Sequence, residues 1–166
     1  SLDTPENMIE SHDYVGAAEA ARHIAGLGHK RIAHIHGPNT FLSAAERLRG
    51  FRVGLAEFGL RIDEQYLLRG GYTFESGMQC GEKLLQLSRP PTAVFAGNDE
   101  MAVGVYQAAR RAGLRVPDDV AVVGAGDVAL FVEHDGEVVD HPRELGVHRP
   151  EDAPADLQGF TVGGVR

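Results

Sequence analysis

A single cysteine, Cys80, no tryptophan and only 7% aromatic residues mark what this 166-residue chain has little of. One thiol excludes an internal disulfide and any multi-cysteine metal site, and it fits a reducing, cytoplasmic compartment. Apolar runs are short: none approaches the roughly 18 residues that a membrane-spanning helix needs. Basic residues are scarce too, with 16 Lys plus Arg against 24 Asp plus Glu and a net charge of −8. Phosphate backbones are bound by clustered Lys and Arg, so a nucleic-acid surface on this chain is disfavoured. The chain opens without Met and without the basic and apolar regions of a signal peptide, and Ser1 reads as a cut point. What is present is ordinary for one globular domain: 43% hydrophobic and 24% charged residues, in a length that suits one sizeable core.

The charge is unevenly placed. Residues 1–127 hold 13 basic and 16 acidic side chains, net −3, whereas 128–166 hold 3 and 8, net −5. Pro142, Pro150 and Pro154 interrupt the last stretch, while the earlier part alternates helical and strand patterns. Helices are expected over 14–27, with Asp13 as a cap and Gly28 as the stop, and over 43–58, with Ser43 as a cap and Gly59 as the stop. The second should bury Leu48, Phe51, Leu55 and Phe58 on one stripe. Two more are expected over 75–88 and from Asp99 to Ala112, with Gly113 as the stop of the latter and Asp99 as its natural cap. Between them lie the apolar runs RIAHIHGP, YLLR, TAVFAG and VAVVG. Continuous apolar strands separated by helices predict an α/β fold, a doubly wound parallel sheet with helices on both faces.

Ligands of such sheets bind at the carboxyl ends of the strands, here His36–Ser43, Gly70–Phe74, Gly97–Asp99 and Gly124–Asp127. Tyr72 follows two glycines, where its ring either stacks on a flat ligand or covers the sheet edge. Asn98 offers both a donor and an acceptor to a polar ligand. Arg47 lies one turn into the second helix and suits hydroxyl, carboxylate or phosphate groups; a surface ion pair with Glu46 or Glu75 is the plain alternative.

Two rival chemistries are weaker. Gly124-x-Gly126-x-x-Ala129 follows a strand as in a dinucleotide-binding fingerprint, but it comes after the last clear strand and leads into the β-like run Val128–Val132. His34 and His36 point to one strand face, yet no carboxylate or cysteine at ligand spacing joins them. There is no nucleophile elbow, P-loop or HExxH helix, so no catalysis, cofactor or metal is expected.

Four stretches, LGHKRIAHIHGP, ERLRGF, PTAVFAGNDEMAVG and GLRVPDDVAVVG, occur in an order and at separations that resemble the lactose/galactose-repressor (LacI/GalR) family of bacterial transcription regulators. The resemblance covers roughly residues 11–147. It implies a sensor core like a periplasmic binding protein, two α/β subdomains around a small-molecule cleft, of which this chain supplies mainly the C-terminal one. Residues 1–11 would then be the crossover from the missing subdomain, 12–140 the effector-binding subdomain, and 141–166 a return segment with an atypical tail, from His148 onward read as frame-altered or truncated. Arg47 matches the family arginine that hydrogen-bonds effector, Tyr72 an aromatic that stacks on sugar or base, and Asn98 a polar effector contact; Ser43 falls in a loop lining the cleft. Where the family carries an effector-binding acid after VVG, this chain has Gly126, leaving Asp127 one position later.

The implied partners are a sugar or purine-like effector, operator DNA through an absent helix-turn-helix head, and a second copy of the chain. The family's dimer surface makes Val103 and Tyr106 interface candidates. With half the cleft missing, the chain should bind ligand weakly or not at all. The alternatives are a periplasmic sugar-binding protein of a transporter and a nucleotide-dependent enzyme using Gly124–Ala129.

Overall fold

The computed structural model describes residues 12–125 in full and the backbone of 129–132, 138–140 and 162–163. In chain order the elements are α1 (His12–Gly26), β1 (Ile32–His36), α2 (Leu42–Ala56), β2 (Leu67–Arg69), α3 (Phe74–Leu85), β3 (Ala93–Ala96), α4 (Asp99–Arg111), β4 (Ala121–Ala125), β5 (Ala129–Val132), β6 (Val138–Asp140) and β7 (Val162–Gly163). All four expected helices form, each within a few residues of the bounds read from the apolar spacing. Gly28, Gly59 and Gly113, the expected stops, lie at positive φ just past helix ends.

The strands form one sheet in the order β2-β1-β3-β4-β5-β6-β7. β1 runs parallel to β2 and β3, and β3 parallel to β4. The chain therefore steps outward from β1 to β2 through α2, then returns past β1 to β3 through α3. That reversal opens a crevice between the carboxyl ends of β1 and β3. β4 pairs antiparallel with β5, and β5 antiparallel with β6. This departs from a wholly parallel sheet because only residues 126–128 separate β4 from β5, too few for a crossover. It also removes the dinucleotide reading: Ala129 pairs across the hairpin with Ala125, so β5 follows the glycines where the fingerprint requires a helix N-terminus.

Alternate residues of each central strand feed opposite layers, which explains their unbroken apolar sequence. Ile32, Ala93, Phe95 and Val123 pack with Phe51 and Leu55 of α2 and with Ala17, Ala21 and Ile24 of α1. Ala33, Ile35, Val94, Ala96 and Val122 pack with Leu84 of α3 and with Met101, Ala102, Val105 and Ala109 of α4. Fully burying one such Leu, Ile or Phe side chain contributes about 1.5–3 kcal/mol.

Glycines set the distance between the helices of each layer. A Cβ on Gly50 would strike the Tyr14 carbonyl, and one on Gly54 the Ala18 carbonyl, so α1 and α2 touch backbone to backbone. On the other face, a Cβ on Gly77 would strike the Met101 backbone and one on Gly104 the Phe74 carbonyl. These contacts revise the expected α2 stripe. Phe51 and Leu55 are buried, but Leu48 is half-buried, and Phe58 lies past the helix end, 47% exposed. The inner face of α2 is completed instead by Ala44, Gly50 and Gly54.

Capping differs from expectation at three helices. α1 begins at His12, so Asp13 lies inside its first turn. Phe41 is the N-cap of α2, without a side-chain cap bond, and Ser43 is already helical. Asn98, not Asp99, caps α4, its side-chain oxygen accepting from the Met101 N–H at 3.0 Å.

Candidate functional site

The crevice at the switch between β1 and β3 is floored by the backbone of Gly37 and Gly97. Gly97 continues β3, its N–H donating to the Ile35 carbonyl at 2.8 Å. Arg47 reaches this point from α2. Its Nη1 donates to the Gly97 carbonyl at 2.6 Å, and its Nε donates to Asp13 Oδ1 at 2.9 Å. A further Nη2 contact to the same carboxylate oxygen measures 2.8 Å. The Arg47 side chain is 14% exposed, which makes this a held guanidinium and not a mobile surface cation.

The ion pair expected with Glu46 or Glu75 is thus made with Asp13 instead; Glu46 pairs with Arg49, three residues along its own helix. Asp13 is the residue that sequence reasoning misassigned. Its signal, an acid one residue before a helical pattern, is the same for a cap and for a site carboxylate. With five N–H donors and these three contacts, Arg47 keeps donors for a ligand, and Asp13 balances its charge.

Ser43 stands one helical turn before Arg47 on the same side of α2, half-buried. Next to it, Phe41 and Leu42 are 52% and 78% exposed, an apolar lip at the amino end of α2. The Phe41 ring meets Tyr72 edge-on, with centroids 5.5 Å apart.

Tyr72 is half-buried at φ 62°, the left-handed region that a bulky side chain seldom adopts. Its ring lies over Gly37 so closely that a Cβ there would strike the ring atoms and hydroxyl. The hydroxyl is buried without a protein hydrogen-bond partner. Asn98 stands across from it, its Nδ2 donating to the Tyr72 carbonyl at 2.9 Å. With Oδ1 engaged by Met101, two of its four hydrogen-bonding positions are used within the protein.

Four of the sequence-nominated residues, Ser43, Arg47, Tyr72 and Asn98, therefore stand on the loops and helix ends at this edge of the sheet. Asp127 lies outside the described residues. Val103 and Tyr106 are half-buried on α4, away from the strand ends, and Val103 packs partly against the α3–α4 core layer.

Beneath the crevice, His34 is fully buried in a cluster with Phe51 and Phe95, its ring centroid 5.3 and 4.8 Å from theirs, while the two phenyl rings stack on each other at 4.4 Å. Nδ1 is within hydrogen-bond distance of the Phe95 carbonyl, 2.9 Å, and must carry the proton to donate there. Burial pushes the imidazole down to about 3, and the nearby His36, Arg52 and Arg47 disfavour its charge further. The His34 and His36 rings lie 6.2 Å apart and tilted to each other, and among the described residues no three His, Cys, Asp or Glu side chains gather to hold a metal ion.

A held guanidinium and two aromatic rings thus stand at the carboxyl edge of an open α/β sheet, the place where ligands of such folds generally bind. The chain matches the periplasmic binding protein-like domain family over residues 21–135, and it belongs to that family. It is 42% identical to the probable HTH-type transcriptional repressor ExuR of Bacillus subtilis (strain 168), over 74% of this chain and 37% of that protein. It is 40% identical to the HTH-type transcriptional repressor CytR of Escherichia coli (strain K12), over 98% of this chain and 48% of that one. A solved sugar-binding transcriptional regulator of the LacI family from Escherichia coli, complexed with phosphate, superposes with a TM-score of 0.66 at 31% identity, covering 70% of this chain and 42% of that one. These relatives are LacI-family regulators, as the four motifs implied, and the chain spans less than half their length. Among the described residues no helix is long and apolar enough to cross a membrane.

Proposed function

We propose that the chain is the effector-sensing part of a LacI/GalR-like transcriptional repressor. It would bind a small sugar or nucleobase-like molecule and control operator binding through a helix-turn-helix head outside these residues. The observation that carries this reading is Arg47, bonded to the Gly97 carbonyl at the strand-order reversal, with the Tyr72 ring over the neighbouring Gly37. An arginine with free donors and an aromatic face suit a ligand having hydroxyl or ring-nitrogen acceptors on one side and a flat or apolar surface on the other.

In this reading Ser43, Arg47, Tyr72, Asn98 and Asp127 contribute to the effector site, and Val103 and Tyr106 to the interface of a homodimer. Effector would act by binding one arrangement of two lobes better than another, because only differential affinity shifts a conformational equilibrium. The net charge of −8 fits a sensor that leaves DNA contact to another segment. The compartment would be the cytoplasm, where operator DNA is, and the protein would carry out no catalysis.

A transporter's sugar-binding protein has the same architecture but less support, since the similar proteins are named as transcription regulators. Reading the coding sequence upstream of Ser1 separates the two. The proposal expects a helix-turn-helix; a signal peptide there contradicts it.

A further inference from the structure

Tyr72 is held in an unfavourable backbone conformation, and the contacts that hold it are identifiable. On its amino side, Gly71 N–H donates to Ser76 Oγ at 2.9 Å. On its carboxyl side, Thr73 N–H points to the same oxygen at 3.3 Å, and Thr73 Oγ1 accepts from Ser76 N–H at 3.1 Å, closing the capping box of α3. Those bonds are local to one helix end and fix the flanking peptides. The carbonyl of Tyr72 itself is held from elsewhere in the fold, by Asn98 Nδ2 at 2.9 Å. Asn98 meanwhile caps α4 through Oδ1, so its two ends join the Tyr72 peptide to the first turn of α4.

The helices that carry these two caps are packed as one unit. Gly77 sits against the Met101 backbone, and Gly104 against Phe74 and Met78, with no room for a side chain at either position. The Asn98 bond is therefore made between parts that have little freedom to drift, which lets it hold a residue at φ 62°. Gly37 completes the arrangement by leaving the space that the Tyr72 ring occupies.

We infer that Asn98 is the positioning residue for Tyr72: its side-chain amide fixes the Tyr72 carbonyl, and through it the ring over Gly37, while its oxygen caps α4. This deepens the reading of the crevice as an effector site, because it assigns Asn98 a role through the aromatic wall in place of, or beside, direct contact with ligand. Asn98→Asp separates the two functions. The carboxylate retains the capping acceptor, and Asp is as good a cap as Asn. It has no donor for the Tyr72 carbonyl and places a second acceptor against it.

Biosynthetic labelling with 3-fluorotyrosine places one fluorine reporter on each of the four tyrosines, and Tyr72→Phe assigns the resonance of Tyr72. In Asn98→Asp, and equally in Asn98→Ser, the Tyr72 resonance should move most of the way toward its position in the urea-unfolded chain, while Tyr14 and Tyr66 stay in place. A Tyr72 resonance unmoved in either folded variant overturns the inference. So does the failure of both variants to fold, which would make Asn98 a determinant of the fold and not of one ring. No ligand is needed, so the result is independent of whether the crevice binds an effector.

Discussion

His34 shows how one residue can look chemical in sequence and be structural in the fold. Two histidines at strand spacing suggest a ligand pair; in the sheet, His34 packs with no exposure against the stacked rings of Phe51 and Phe95. Its depressed value of about 3 in the folded chain, against 6.5 for the free side chain, has a definite thermodynamic sign. The unfolded chain binds a proton in this range that the folded chain refuses. The contribution is fully present above about pH 6.5 and is lost as pH falls toward 3. The slope attributable to this one proton approaches about 1.4 kcal/mol per pH unit. His29, lowered by partial burial, tilts the profile the same way. Urea titrations at several pH values between 4 and 7, comparing the native chain with His34→Phe, isolate the His34 part. The variant should lose about one proton's worth of slope; equal slopes would show that His34 is not neutral in the folded protein.

At the scale of elements, the joints between helices are made by glycines that helix propensity alone would count as weaknesses. Gly104 sits where α4 presses on the Phe74 carbonyl and the Met78 amide, whereas Gly16, inside α1, faces open space. Gly104→Ala should destabilise the fold by about 1–3 kcal/mol through overpacking. Gly16→Ala should stabilise it by about 0.5–1 kcal/mol through helix propensity alone. Thermal or urea unfolding of the two variants checks the contrast, and a stabilised Gly104→Ala would refute the close packing.

The same joints explain what was legible in the sequence. Apolar spacing, glycine stops and unbroken strand runs are local signals, and they located all four helices and the central strands. The role of Gly50 and Gly54 was not legible, because it depends on which backbone lies opposite. The antiparallel turn from β4 to β5 was half-legible: the run at Val128–Val132 read as β-like, but its direction follows from a three-residue connection whose significance appears only once β4 is placed. At the site, Arg47 and Tyr72 were nominated because strand ends are readable. Arg47's partner was not, since Asp13 lies 34 residues away and imitates a cap.

As a whole molecule, the chain is an α/β layer whose chemistry collects at one edge. One layer delivers Arg47 and Asp13 to that edge, the other delivers Tyr72 and Asn98, and the reversal between β1 and β3 brings the two sets together. The central claim is that this edge binds a small molecule having hydroxyl or ring-nitrogen acceptors. The direct measurement is a titration of the isotope-labelled chain with a panel of neutral sugars and nucleosides at millimolar concentration, followed by backbone amide NMR. On the proposed reading this chain would supply part of a cleft, so affinity should be weak; the shifts that a binding member of the panel gives should centre on Gly37, Tyr72, Gly97 and Asn98, and Arg47→Ala should abolish them. Shifts that cluster elsewhere, or that persist unchanged in Arg47→Ala, would contradict the claim.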